Sequence, residues 1–263
     1  MITITKKGYL DWPKRFVCIA LTMFVTWQTL AAARNLTGLK TLSLTDAEEL
    51  ASTIDSKIPI EVNESVLKWL NYFMGNPKGK AYMMKSFQRM QSYKKLLIEK
   101  LNKNKMPLEL LAVPFIESGY KNSVVSIAKA AGIWQFMPRT AQIYGLRVDK
   151  DLDERFNVDK LTNAAIAYYT HLMNIKDFDK DWRLALLAYY TGESRLIKAM
   201  KKQGTKDPWA FNNLGDKEYL AKIVAGIILL KNPENNVLSK PLPGKVIESR
   251  TYHLKKIFAG EFF

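Results

Sequence analysis

PLELLAVPFIESGYKNSVVSIAKAAGIWQFMPRTAQIY, residues 107–144, places one carboxylate, Glu117, at the end of an otherwise apolar run. A small-residue turn and the aromatic segment Trp134-Gln135-Phe136-Met137-Pro138 follow it. Pro107 suits the first turn of a helix, where its missing N–H is not needed. Counting from there, Leu110, Val113, Pro114 and Glu117 fall three or four residues apart and share one helical face. That face is greasy, so it is expected to look inward, where desolvation raises the pKa of a carboxyl. A carboxylic acid still protonated near neutral pH is what general-acid catalysis requires. The plainer alternative is a helix-terminal glutamate that turns out to solvent or pairs with a lysine, and periodicity alone leaves both readings open.

Working outward, the 263 residues suit one large domain or two small ones. Apolar content of 48% and charged content of 25% are ordinary, but a net charge of +15 is not. A basic surface favours polyanions such as nucleic acid, anionic lipid or a carboxylate-bearing wall polymer. No nucleic-acid motif is present, and the lysines are scattered (Lys94, Lys95, Lys100, Lys103, Lys105, Lys201, Lys202), which reads first as a solvated surface.

The N-terminus has the pattern of an export signal. Lys6, Lys7, Lys14 and Arg15 precede an apolar segment from Phe16 to Val25, and Ala31-Ala32-Ala33 offers a cleavage site before Arg34. Residues 1–33 are therefore read as a signal peptide, with an uncleaved anchor as the alternative, and the location as periplasm or cell envelope. Cys18, the single cysteine, lies inside that segment, so cleavage would leave no thiol for a disulfide, a nucleophile or a metal. His171 and His253 have no metal-ligand spacing, and no cofactor or metal is expected.

The remaining elements are mostly helical. Thr45-Asp46-Ala47-Glu48 suggests a capping box. Helices are expected from Asn63, burying Val66, Leu67, Leu70 and Phe73, and from about Tyr82 to Lys103, burying Met83, Phe87, Met90, Leu97 and Leu101. A short hairpin or lip is expected between Gly119 and Ile133, with a helix over Trp134–Tyr144. Further helices are expected at Lys160–Met173, Trp182–Tyr190, Ser194–Lys202 and Lys217–Leu230. The organisation expected is an N-terminal helical region at 34–105 packed on a catalytic domain at 106–232, then a tail at 233–263.

Glu117-Ser118, Ser126, Ala130-Ala131-Gly132-Ile133-Trp134-Gln135-Phe136-Met137-Pro138 and Thr140-Ala141 together resemble the signature of the lytic transglycosylases with an SLT, goose-type-lysozyme-like domain. Asp153-Glu154-Arg155 with Thr162 and Ala164-Ala165, and Leu186 to Glu193, follow in the family's order. Pro107 to Leu111 and Glu218 to Ile223 resemble the membrane-bound lytic murein transglycosylase D branch, and the likeness spans roughly residues 60–232.

The resemblance implies a mainly α, lysozyme-like domain with at most a small β-hairpin near the cleft. It also implies cleavage of the β-1,4 bond between N-acetylmuramic acid and N-acetylglucosamine in peptidoglycan, giving a 1,6-anhydro product. Glu117 would be the single acid/base. Ser126 and Gln135 are assigned to the cleft, and Tyr189 matches the motif tyrosine, which can orient Glu117 or contact sugar. Ser118 is read evenly as a helix-end hydrogen-bonder or a site residue, and Met137 as a sugar-facing or a core residue. Trp134 and Phe136 are read as core, and Glu154-Arg155 as a structural ion pair.

Three departures stand out: Lys129 replaces the family's glycine, Tyr190 its asparagine, and Asn157 an acidic residue. The expected partners are glycan strands, with envelope proteins left open, no nucleic acid, and membrane only if the N-terminal segment stays uncleaved. The rivals are a goose-type-like muramidase using water, and a wall-binding scaffold without turnover, the latter motivated by Tyr190 at a site-residue position.

Overall fold

The computed structural model describes residues 41–211, 214 and 218–232. Apart from Thr41 these lie in the unit Leu42–Phe263. The expected signal segment at 1–33 and the tail at 233–263 fall outside the described residues.

Ten α-helices form the described part: α1 Leu44–Ser52, α2 Glu64–Gly75, α3 Pro77–Met90, α4 Lys94–Lys103, α5 Ala112–Ser118, α6 Pro138–Ile143, α7 Val158–Asn174, α8 Trp182–Thr191, α9 Glu193–Gln203 and α10 Tyr219–Lys231. Extended pairing among the described residues is limited to isolated antiparallel bridges, Val125 with Ala131, Ala131 with Phe136, and Val148 with Asp153. The lip expected between Gly119 and Ile133 is thus a pair of bridges rather than a hairpin of full strands. The helical lysozyme-like class inferred above describes this architecture.

The centre of the fold is α10. Its residues from Tyr219 to Leu230 are buried on all sides except at Lys222, the pattern of a helix enclosed by others rather than lying on a surface. It packs against α2, α5 and α8, while α3 packs on α2 and α5, and α4 on α7. At Gly226 an added Cβ would meet Phe115 Cδ1 at 3.1 Å and Ala112 Cβ at 3.3 Å, so the missing side chain lets α10 approach the face of α5. The helices before residue 106 therefore share one core with those after it.

The helix starts follow capping chemistry. Asn63 accepts from the Val66 N–H and Asn76 from those of Lys78 and Gly79, each satisfying amides that a first turn leaves open. The first capping box lies two residues earlier than the sequence suggests: Ser43 caps α1 with Asp46 reaching back.

Three other expectations are corrected. The long helix over Tyr82–Lys103 is two helices, broken at residues 91–93 without a proline or glycine to mark the break, although its five apolar residues are all buried. Pro107 opens a 3₁₀ turn, Leu108–Leu111, before α5 begins. Pro114 has no N–H for the Leu110 carbonyl, so an α-helix cannot run through that turn intact. The helix expected over Trp134–Tyr144 starts only at Pro138, because Gln135 has φ +50° and Met137 is extended ahead of the proline.

Candidate active site

Glu117 is the next-to-last residue of α5 and is half-buried, with buried Ile116 and Ser118 on either side. The helix ends beside it because Gly119 adopts a left-handed conformation (φ 55°) and returns its N–H to the Phe115 carbonyl at 3.2 Å. Helix α3 braces this end. The Tyr82 hydroxyl donates to Phe115 O at 2.6 Å, and Arg89 Nη1 donates to Gly119 O at 3.2 Å. Glu117 therefore leaves a short helix whose last carbonyls are held from outside.

Phenols from four helices surround the carboxylate. Tyr219, the first residue of α10, donates its hydroxyl to Glu117 Oε1 at 2.8 Å. Tyr82, Tyr169, Tyr189 and Tyr219 all have their ionisation raised, first by burial, with the Glu117 charge contributing to each. All four phenols thus stay un-ionised at physiological pH. Tyr189 and Tyr169 stack face to face (4.9 Å, 4°), and the Tyr189 hydroxyl donates to the Trp134 carbonyl at 2.5 Å. The buried Tyr169 hydroxyl has no hydrogen-bond partner. Tyr190 stacks on Tyr219 with centroids 4.4 Å apart and planes 14° from parallel.

The other wall is the loop from Lys121 to Met137. The Ser118 hydroxyl, buried, donates to the Ile133 carbonyl at 2.8 Å and joins this loop to the end of α5. The Ser118 hydroxyl thus faces backbone carbonyls, Ile133 O and, at 3.2 Å, Pro114 O. Ser126 closes the loop tip: its Oγ accepts from Ala130 N–H at 3.0 Å and its N–H donates to Ala130 O at 2.8 Å. Gln135 Nε2 donates to Gly132 O at 2.8 Å and Val124 O at 3.2 Å, so the amide oxygen is the group it can offer a ligand. Met137 is 42% exposed, which decides against the core alternative, whereas Trp134 and Phe136 are core. Ile127 at the tip is 83% exposed.

What holds that loop is Arg155, 5% exposed. Its Nη1 donates to Lys129 O at 2.6 Å and Phe136 O at 2.9 Å, while Nε and Nη2 grip both Asp153 oxygens at 2.6–3.2 Å. The expected Glu154-Arg155 pair is thus wrong by one residue: Arg155 pairs with Asp153, and Glu154 pairs with Lys160. An added Cβ at Gly132 (φ +76°) would lie 2.1 Å from Arg155 O, so the close backbone contact excludes any side chain there. Lys129 sits at φ +72°, which gives a physical reason for a glycine at this position in the related signature.

The contacts thus link Glu117, Ser118 and, through Tyr219, Tyr190 at the end of α5, with Tyr189 bonded to the loop at Trp134 and Gln135, Ser126 and Met137 on that loop. Tyr219, bonded to Glu117, and the loop-holding part of Arg155 were not singled out from the sequence. Tyr219 lies 102 positions from Glu117, and only a contact between α5 and α10 brings the two together. Among the described residues no group of three or more His, Cys, Asp or Glu side chains comes together to hold a metal. No described helix is long and apolar enough to cross a membrane.

Residues 96–212 match the family model described as "Transglycosylase SLT domain". Over 181 residues the chain is 33% identical to the membrane-bound lytic murein transglycosylase D of Escherichia coli K12, covering 67% of this chain and 39% of the relative. The same protein from Escherichia coli O6:H1 gives the same figures. A putative tributyltin chloride resistance protein of Alteromonas sp. is 33% identical over 112 residues, 43% of this chain and 53% of that one. The chain thus spans well under two thirds of the length of the relatives it matches.

Proposed function

The chain carries a transglycosylase SLT domain, and from that premise we propose that it is a peptidoglycan lytic transglycosylase with Glu117 as its single acid/base. The observation that supports this reading is the setting of Glu117, half-buried at the end of α5 against the Tyr219 phenol. Glu117 receives a hydrogen bond from the Tyr219 phenol, which burial keeps un-ionised. A carboxyl group at a helix end with a neutral donor on one oxygen is suited to general acid–base chemistry, in which it gives up a proton and takes one back.

In the proposed reaction Glu117, protonated, donates to the glycosidic oxygen between N-acetylmuramic acid and N-acetylglucosamine. The C1–O bond breaks, the N-acetylglucosamine leaves with that proton as its 4-hydroxyl, and the muramyl N-acetyl group stabilises the cationic C1. The muramyl 6-hydroxyl then attacks C1 while Glu117, now a carboxylate, takes its proton. The products are a 1,6-anhydromuramyl end and a free N-acetylglucosamine end, and no water is consumed. Because the substrate supplies the nucleophile, the second carboxylate that glycoside hydrolysis ordinarily uses is not needed. Gln135 would present its amide oxygen to a sugar N–H, and Met137 an apolar surface to a ring face.

The site proposed lies in an exported chain acting in the periplasm or cell envelope, with residues 34–105 supporting a catalytic domain at 106–232. Zymography on purified sacculi tests the reading: wild type is expected to clear the gel and Glu117→Gln to leave it opaque. Equal clearing, or none from either, contradicts it.

A further inference from the structure

Tyr190 stands where the related signature carries an asparagine, and its ring lies flat against Tyr219, the phenol that bonds the acid. We propose that Tyr190 is a positioning residue that acts through Tyr219, holding its hydroxyl on Glu117 and so setting the pH range over which Glu117 can donate a proton. This rests on the reading of Glu117 as the acid.

Two geometric facts make the stack consequential. Tyr219 opens α10 and is buried, so its ring orientation is set by the side chains it packs against. Its backbone is already located, because the preceding Glu218 bonds Lys68 at 2.6 Å and Trp69 Nε1 at 3.1 Å. What remains to be fixed is the rotation of the phenol. A parallel ring at 4.4 Å restricts that rotation, and an asparagine is too short to do so. The side chain lost as a sugar-directed amide is thus replaced by one that orders the acid's own donor.

The sign follows from the chemistry of the bond. A phenol donating to a carboxylate stabilises the ionised form more than the protonated one. Loosening Tyr219 therefore raises the pH at which Glu117 loses its proton, and the high-pH limb of kcat/KM moves upward. Among the described groups that feel the Glu117 charge are Tyr82 from α3, Tyr169 from α7 and Tyr189 from α8, each neutral over this range. Arg89 from α3, on the Gly119 carbonyl, is a fixed cation. None of these changes charge across the limb.

The test uses the full chain, with two readouts: the pH profile of product release from sacculi, and the titration midpoint of the ¹³C-labelled Glu117 carboxyl by NMR. Tyr219→Phe is expected to move both upward by roughly one pH unit, a tenfold change in the protonation equilibrium. Tyr190→Ala is expected to move both in the same direction. Tyr190→Leu, which fills the volume without a ring, should do so too and guards against a collapsed variant. Tyr190→Phe keeps the ring and is expected to leave the midpoint in place.

In the Tyr219→Phe background, Tyr190→Ala should add no further shift. A Tyr190→Ala variant that loses rate at every pH without moving the limb overturns the proposal, as does an equal shift in the Tyr219→Phe background. Absence of product from wild type would count against the enzymatic reading alone, since the carboxyl midpoint needs no turnover.

Discussion

The two walls that meet at Glu117 are built by opposite means. The α5 wall is helix packing: α10 and α8 bring Tyr219, Tyr189 and Tyr190 to the acid through a continuous apolar core. The loop wall, residues 121–137, has almost no regular structure, carries exposed Val125, Ile127 and Met137, and bends through left-handed residues at Lys129, Gly132 and Gln135. It keeps its shape because Arg155 and Ser118 bind its carbonyls. The lesson is that shape on one side depends on buried area, and on the other on a few charged or polar anchors. Substitutions should therefore fail differently on the two sides.

The largest effect is expected at Glu117, the proposed acid. Glu117→Gln keeps the shape and the acceptor for Tyr219 but removes the proton. General acid–base catalysis is worth roughly 10² to 10⁴ in rate, and a loss in that range with an unchanged melting temperature is expected in a sacculus-digestion assay. A large drop in melting temperature would instead give Glu117 a structural part.

On the loop wall the largest effect is on stability. Arg155→Ala leaves Asp153 and two backbone carbonyls without their partner, and breaking a buried ion pair costs about 3–5 kcal/mol. Urea denaturation should show that loss, and Arg155→Lys should recover little of it, since an ammonium cannot reproduce the forked geometry. Full recovery by lysine would mean that charge alone, and not the fork, holds the loop.

How much of this the residues announce differs between the walls in the same way. The loop wall is readable as a motif: Ser126, Gly132, Gln135 and Arg155 are close in sequence and their spacing is fixed by local bonds. Even so, the ion pair was misassigned to Glu154, because adjacent residues in an irregular segment give no periodicity from which to judge direction. The core faces of α2 through α4 are legible from spacing, and Val66, Leu70, Phe73, Phe87 and Leu101 are buried as expected. Tyr219 was not legible as a site residue. Its role depends on α10 crossing α5, a tertiary fact to which the apolar run of α10 gives no direction.

Away from both walls, Glu109 tests the core that joins them. Burial alone pushes its carboxyl up, but hydrogen bonds from Lys231, its own backbone and Lys57, with the Lys231 charge, carry it below the ordinary range. A lowered folded pKa contributes stability that is present above the unfolded value, about 4.5, and is lost as pH falls through the folded one. Glu109→Gln should therefore flatten the acid side of the stability profile below about pH 4.5, measured by urea midpoints across pH. An unchanged slope would mean that the ion pair does not couple to folding.

The smallest effect sharpens the contrast from the loop side. Lys129 holds a left-handed conformation that suits glycine, and a left-handed residue with a Cβ costs roughly 1–2 kcal/mol. Lys129→Gly regains part of this against its own unfolded-state entropy, so a gain of up to about 1 kcal/mol is expected by chemical denaturation. A loss would show that the lysine side chain contributes more than its backbone strain costs.

The central claim, that a single carboxylate passes a proton while the sugar closes on its own hydroxyl, is tested most directly by digesting sacculi in oxygen-18 water and weighing the products. Muramyl ends lighter by one water than the reducing sugar and free of the heavy isotope are the expected result. Reducing muramyl ends carrying one oxygen-18 would contradict it and identify a hydrolase.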